Sequence, residues 1–491
     1  MKQANARVQR AMLLAAGLAV SAAAPAAAQF NAIPAPAVYA IRNATVINAD
    51  GTRNAGVNVI VKGSFIESIG ANAAIPAGAQ VLDGDSLFVY PGIVDAAGAV
   101  KYTFPRDSVD RTKMRSWDPP RSVQGFMPSR RVSAYLQPGP TEVADLRKKG
   151  VVAVAVMPTD MMMPGQGALL MLRAEPDAQR LVISPSIGTV MSTRGARGVY
   201  PTTGMAVPGF YRQTFFDAQR MTQIAQAASV DPRGIVAPAF DADYAVIQQV
   251  LAGTMPVYFV ASTLEEILTV IRLSDEFKLH PTIVGGAEAW RATNELKTRN
   301  IPVLVSLDFP KPRQWKPPAE KSDKPDKPEK KDSANAKPDN AKTDSLKAVA
   351  KADSARVDSM PGAQREKKDL ENMYANPARL AKAGVRFALT SGGGKADIRD
   401  AARKPIEYGL SEADALKAIT ATPAQILGVA ALGRVEAGLP ASFTVTTKPM
   451  FRKDAKVKYT FVDGVLEKGD TPKPVTDKKP DAGYSANGGA R

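Results

Sequence analysis

Apolar and polar positions follow two regimes along the chain. In YAIRNATVIN (39–48) and VNVIVKGSFIESIG (57–70) they alternate, as in strands with one buried face, and turn signals stand at Asn48–Gly51 and Lys62–Gly63. The same alternation returns near the C-terminus in ASFTVTT (441–447) and VKYTFVDGVLEKG (457–469). Between these ends the apolar runs are continuous: VVAVAVMP (151–158), PVYFVA (256–261), TIVGG (282–286), IPVLVSL (301–307) and VRFALTS (385–391). Helical periodicity joins them. Thr141 to Lys149 forms a helix that Gly150 stops, and Thr263 with Glu266 has capping-box spacing ahead of Leu264, Ile267, Leu268 and Ile271 on one face. A helix with Trp290 and Leu296 follows TIVGG, Ser411–Asp414 opens another, and Thr422–Pro423 opens a shorter one ending at Gly428. Continuous apolar strands alternating with helices predict a parallel sheet with helices outside. The economical closure is an α/β fold with a (β/α)8 barrel over 91–430. The β-rich flanks, 37–90 and 431–468, are expected to pair into one small composite sandwich.

Composition narrows the chemistry. Cysteine is absent, which excludes disulfides, thiolate metal sites and cysteine nucleophiles. Histidine occurs once, at His280, so no multi-histidine metal centre can form within one chain. The formal net charge is +16, but half of it lies in two segments outside the fold proper, which keeps a modest excess. Residues 311–370 contribute 16 − 11 = +5, and Lys2, Arg7 and Arg10 add three more. No basic stripe interleaved with aromatics remains, so nucleic acid is not an expected partner. The stretch 311–367, rich in Lys, Asp, Pro, Ala and Ser, is expected to be a disordered insert, and 469–491 a disordered tail.

The first residues place a positive segment before the apolar run Ala11–Ala23, with Ala26 and Ala28 as an A-x-A cleavage signature before Gln29. Residues 1–28 therefore read as a cleavable signal peptide cut near Ala28–Gln29, and the mature chain as periplasmic or secreted. No later segment is long and apolar enough for a membrane span.

The flanks and core together resemble the amidohydrolase superfamily, in particular its imidazolonepropionase- and dihydroorotase-like hydrolases. NVIVKGSFIESIG…IPAGAQVLDGDSLFVYPGIVDA is similar to the family's strand hairpin and to the entry strand that ends in P-G-hydrophobic-hydrophobic-D-A. YGLSEADALKAITATPAQILGV…LGRVEAGLPASFTV…VKYTFVDGVL is similar to its closing helices and return to the sandwich. The resemblance implies hydrolysis of non-peptide C–N bonds by water activated on zinc or another divalent metal, often in oligomers. The residues depart from it at the chemistry. Ala97 and Ala99 stand where the entry strand's two histidines belong, Val260 where a later histidine belongs, and Gly392 where the metal-binding aspartate belongs. The polar turn before the final strands is replaced by Gly438, Leu439, Pro440, Ala441 and Ser442. No metal and no other cofactor is therefore expected.

The remaining candidates each have a structural alternative. Asp95, from the entry motif, is a candidate acid or base, or a carboxylate that caps backbone amides. Glu288 follows a strand on the expected ligand-facing side, where a helix N-terminus also favours a carboxylate. Asp308, after VLVSL, is similar, or leads into the insert. Gly165, Gln166 and Gly167 within MMMPGQGALLML either shape a pocket loop beside Met161, Met162 and Met163 or make a tight turn between strands. Gly392, Gly393, Gly394 and Lys395 follow a strand and offer amides to an anion, or are the relaxed remnant of a metal-site loop. His280 lies at a helix-to-strand junction, on the end of the barrel opposite the expected active face. Three function classes follow: a catalytically degenerate homologue that binds a ligand or pairs with itself or an active amidohydrolase paralogue, an active hydrolase with a carboxylate site, and a periplasmic small-molecule-binding protein.

Overall fold

The computed structural model describes residues 38–105, 109–110, 112–159, 161–196, 198–313, 315, 360–394 and 397–469. The expected signal peptide, most of the expected insert, Lys395 and nearly all of the expected tail lie outside the described residues. Two eight-strand sheets organise the rest. The first is built from both ends of the chain: β1 (Val38–Ile47), β2 (Arg53–Lys62), β3 (Phe65–Gly70), β4 (Gln80–Asp83) and β5 (Phe88–Pro91) join three C-terminal strands. Those are β14 (Phe443–Thr446), β15 (Val457–Val462) and β16 (Val465–Lys468), and β14 pairs antiparallel with β5 to make the sheet composite. The alternating apolar faces meet in one core, where Ile41, Val59, Val61, Val89, Phe443 and Phe461 are fully buried and the Phe443 and Phe461 rings stack at 4.5 Å.

The second sheet is the barrel, in sequence order from β6 (Ile93–Gly98) to β13 (Phe387–Thr390). Between them lie β7 (Val151–Val156), β8 (Gly165–Met171), β9 (Val182–Ser192), β10 (Val257–Ala261), β11 (Pro281–Gly285) and β12 (Val303–Ser306). Alternate positions point inward, so Val152, Leu169, Val190, Tyr258, Leu304 and Ala388 form one interior cluster. Their neighbours Val151, Leu170, Met191, Phe259, Val303 and Leu389 belong to the layer under the helices. Both faces are buried, which is why these strands read as unbroken apolar runs.

The helices are α1 (Arg121–Gln124), α2 (Pro140–Lys148), α3 (Ala178–Leu181), α4 (Ala206–Val230), α5 (Ala242–Leu251), α6 (Leu264–Phe277), α7 (Thr293–Thr298), α8 (Pro361–Ala383), α9 (Ile398–Glu407), α10 (Glu412–Ile419) and α11 (Ala421–Ile426). The expected caps form: Thr263 and Glu266 close a capping box on α6, and the Ser411 hydroxyl accepts the Asp414 amide at 3.0 Å. None of the helices among the described residues is long and apolar enough to cross a membrane.

Three expectations are corrected. The barrel is not wholly parallel: β8 runs antiparallel to both β7 and β9. Gly165, Gln166 and Gly167 are thus neither a pocket loop nor a turn but the first residues of a buried strand, because the chain between Val156 and Gly165 is too short for a crossover helix. The insert is also shorter than 311–367, since 361–367 are the first turns of α8, started by Pro361 at its N-terminus. Lys and Glu hide those first turns in composition, whereas the helical stretch expected through Leu380 is present and buries one stripe at Leu370, Asn376, Pro377 and Leu380. Finally, the helix expected to hold both Trp290 and Leu296 divides into a 3-10 turn at Ala289–Arg291 and the short α7.

Candidate functional site

The barrel mouth lies at the C-terminal ends of the parallel strands, where β6 presents Asp95. This side chain is only 2% exposed. Its Oδ1 accepts the amide N–H of Ala97 and that of Ser391, each at 3.2 Å. Burial pushes the carboxyl above its ordinary range, and the hydrogen bonds from Ser391 and Ala97 oppose that rise. A Cβ at residue 98 would lie 2.6 Å from Asp95 Oδ2 and 2.3 Å from Val154, so only glycine lets the carboxylate sit there. The Gly393 amide then donates to the Ala97 carbonyl at 3.0 Å, holding the loop after β13 against β6.

The positions where the resemblance implies metal ligands are filled by other chemistry. Ala97 belongs to the apolar interior cluster, and Val260 packs partly buried against that same cluster. Ala99 is exposed, beyond the end of β6. Gly392 has φ +62°, and a Cβ there would stand 2.0 Å from Ser306 Oγ and 2.9 Å from Ser306 Cβ. No side chain fits without displacing Ser306, whose hydroxyl also accepts the Asp308 amide at 3.2 Å. These residues do not fit a divalent metal: alanine, valine and glycine offer no donor atoms, and the position for the carboxylate has no space for one. Among the described residues there is no group of three His, Cys, Asp or Glu side chains able to hold an ion.

The other candidates separate. Glu288 is half-buried and turned toward α6, where Oε2 accepts the Leu264 amide at 2.9 Å and pairs with Arg291 at 3.1 Å. It caps that helix end, where a negative charge is favourable. Asp308 is exposed beside the glycine turn, and its Oδ1 would lie 3.3 Å from a Cβ placed on Gly394. His280 is exposed immediately before β11, at the end of the barrel away from the mouth. Asp95 and the 391–394 turn are thus brought together, whereas Glu288 is committed elsewhere.

Two polar residues at the rim escaped the sequence reading. Asn376 on α8 is fully buried: Oδ1 accepts the Trp290 amide at 3.0 Å and Nδ2 donates to the Gly286 carbonyl at 2.9 Å. Arg379, one turn on, stacks on the Trp290 ring at 4.2 Å. The signal for Asn376 was an asparagine placed on the apolar stripe of an amphipathic helix. Tyr211 on α4, also fully buried, accepts the Ser192 amide at 3.1 Å and has the Met162 and Ser192 carbonyls within 3.0 Å as acceptors. Burial pushes its hydroxyl far above the ordinary tyrosine range, so it stays a neutral donor.

Comparison with known proteins gives a family match and a fold match. The Amidohydrolase family model matches residues 333–466, the segment holding α8, β13 and the return to the composite sheet. An amidohydrolase from Thermotoga maritima is 22% identical, with 87% of this chain and 99% of that one covered at a TM-score of 0.65, and so shares the fold. A prolidase complexed with N-methylphosphonate-L-proline is 15% identical over 88% of this chain and 100% of that one, but its TM-score of 0.48 lends no weight. No curated protein matches. With a barrel entered and left through one composite sheet, and a family match confined to residues 333–466, this chain is similar to amidohydrolases in fold and in the sequence of that segment.

Proposed function

We propose that the protein is an exported, catalytically degenerate amidohydrolase homologue. In this reading the barrel keeps its architecture and has lost metal-assisted hydrolysis of C–N bonds, and it serves as a ligand-binding or pairing subunit. The observation that carries it is Gly392, where the metal-binding carboxylate of the family pattern would have to occupy the volume of Ser306. Ala97 within an apolar cluster supports the same reading. A carboxylate-based hydrolase would have to work with Asp308, since Asp95 accepts two backbone amides and Glu288 caps α6.

The test is metal analysis of the mature protein, purified without a histidine tag and incubated with zinc, together with turnover of a panel of cyclic amides and N-acyl amino acids. Folded protein with far less than one metal per chain and no turnover is the expected result. Near one metal per chain, with turnover that a chelator abolishes, would overturn it. Export is tested separately: the N-terminus of protein secreted by a bacterial host should begin at Gln29, and an uncleaved Met1 would remove that part of the reading.

A further inference from the structure

Four buried side-chain atoms among the described residues meet no hydrogen-bond partner: Arg130 Nε, Gln166 Oε1, Thr189 Oγ1 and Arg379 Nη1. Two of them are met in another way. The Arg130 guanidinium lies over the Phe104 ring and that of Arg379 over the Trp290 ring, each at 4.2 Å, so the faces of aromatic rings attract both charges. Gln166 and Thr189 carry no charge and are only 2% and 0% exposed, so solvent outside the fold does not reach them. Leaving such atoms without a partner is costly, and a fold retains few of them.

These two residues face each other. Gln166 on β8 is the register partner of Thr189 on β9. Neither amide reaches across the pair: the Gln166 N–H donates to the Arg130 carbonyl at 2.7 Å, and the Thr189 N–H to the Pro256 carbonyl at 3.0 Å. They therefore form a non-hydrogen-bonded antiparallel pair, in which Cα atoms approach to about 4.5 Å and side chains lie side by side on one face. That face is the one under the helices, since Ala168 and Met191, two residues further along each strand, belong to that layer. The orientation of the glutamine is fixed. Its Nε2 donates to the Pro128 carbonyl at 3.1 Å, and the flipped amide would set oxygen against oxygen there. Oε1 is thus an acceptor without a donor, and the adjacent Thr189 hydroxyl is unpaired as well.

One small hydrogen-bonding molecule between them satisfies both. An anion has no proton to give to Oε1, and a hard cation takes about six or more oxygen ligands. Water has what the pair lacks: it donates to Oε1, exchanges a second hydrogen bond with the threonine hydroxyl, and spans two oxygens with bonds of about 2.8 Å each. We propose that Gln166 and Thr189 bind one internal water molecule as a fixed part of the fold. Gln166 already holds the segment 128–131, since its amide meets the Arg130 carbonyl and its Nε2 the Pro128 carbonyl. The water extends that clamp across the sheet to β9, so the glutamine between two glycines is a polar clip inside the strand layer. This site lies within the sheet and not at the barrel mouth, so its test and the metal analysis fail separately.

The experiment pairs a crystal structure of the mature chain, 29–491, at a resolution that shows ordered water, with urea unfolding of three variants. The structure should show density for one water within about 2.7–3.1 Å of both Gln166 Oε1 and Thr189 Oγ1. Thr189→Val replaces the hydroxyl by a methyl of similar size and should raise the unfolding constant about 5–10-fold, because the water loses a partner. In the Gln166→Met background the same change should alter it less than about 2-fold, since the coupling runs through the water. Should Gln166→Met fail to fold, the wild-type structure and Thr189→Val decide alone. A hydroxyl without any partner predicts the opposite sign, a Thr189→Val variant more stable than wild type. That result, an equal loss in both backgrounds, or a direct bond between the hydroxyl and Oε1 with no water between them would each overturn the proposal.

Discussion

The Asp95 carboxylate accepts the Ser391 amide at 3.2 Å, a bond between residues 296 positions apart that joins the first barrel strand to the end of the last. The hydrogen-bonded strand order runs from β13 to β6 without a ladder between those two. A side chain and the Gly393–Ala97 bond close the gap instead. A residue that the entry motif suggests for acid–base chemistry is thereby committed to closing the fold.

Substitutions at Asp95 should reveal that role. Asp95→Ala leaves two buried amides without acceptors, each costing about 1–3 kcal/mol, for a loss of about 2–5 kcal/mol in denaturant unfolding. Asp95→Asn keeps an oxygen toward both amides and removes the buried charge. Because burial raises the folded-state value above 3.8, the folded chain holds a proton in the window above 3.8 that the unfolded chain has lost. The wild-type contribution is full below that window and falls as pH rises through the raised folded value. The stability difference between Asp95→Asn and wild type should thus move in favour of the asparagine between pH 4 and neutrality. A difference that is flat with pH would show that the carboxylate is solvated.

Restoring the family's carboxylate should fail for steric reasons. Gly392→Ala meets a positive φ, worth about 1 kcal/mol, and the Ser306 side chain at 2.0 Å. A total loss of about 2–4 kcal/mol is expected. Ser306→Gly in the same chain should recover the steric part and leave the backbone part, so the two substitutions should be strongly non-additive in thermal or urea unfolding. Gly392→Asp with Ala97→His and Ala99→His should melt below wild type and not gain stability with zinc.

Asn376 offers a third test. Asn376→Ala orphans the Trp290 amide and the Gly286 carbonyl, with an expected cost of about 2–4 kcal/mol. Asn376→Asp retains the acceptor for Trp290 but turns a second oxygen toward the Gly286 carbonyl, so it should be destabilising too, increasingly above pH 4. Urea midpoints at pH 4 and 8 check both. If Asn376→Asp matched wild type at both pH values, the clamp would not exist.

These three residues also mark where sequence reading stops. Barrel, composite sheet and their order were legible because burial on both faces writes continuous apolar runs, while burial on one face writes alternation. The direction of β8 was not: a strand covered on both sides looks the same whichever way it runs, and its glycines imitate a turn. Ala97 and Gly392 were legible as departures from a motif, but the Ser306 contact that makes Gly392 obligatory joins two strands and has no sequence spacing. Asn376 showed only as a polar residue on the apolar stripe of α8, and its role was not legible because its partners lie at 286 and 290, on the far side of the insert.

The insert itself should be removable. Its two ends are pinned together: Glu366 accepts from the Arg313 amide at 2.6 Å and from the Trp315 indole at 2.7 Å. The Trp315 ring lies so close over Gly362 that a Cβ there would be 2.4 Å from it. Replacing 316–359 by a short Gly/Ser loop shortens the segment to be closed, and loop-closure entropy alone predicts a gain of about 1–1.5 kcal/mol. Denaturant unfolding should show a midpoint equal to or slightly above wild type, with the same slope. Glu366→Ala in the shortened chain should then cost about 1–2 kcal/mol, because the indole and the Arg313 amide lose their acceptor. A shortened chain that unfolds about 3 kcal/mol more easily would instead assign residues 316–359 to the stability of the fold.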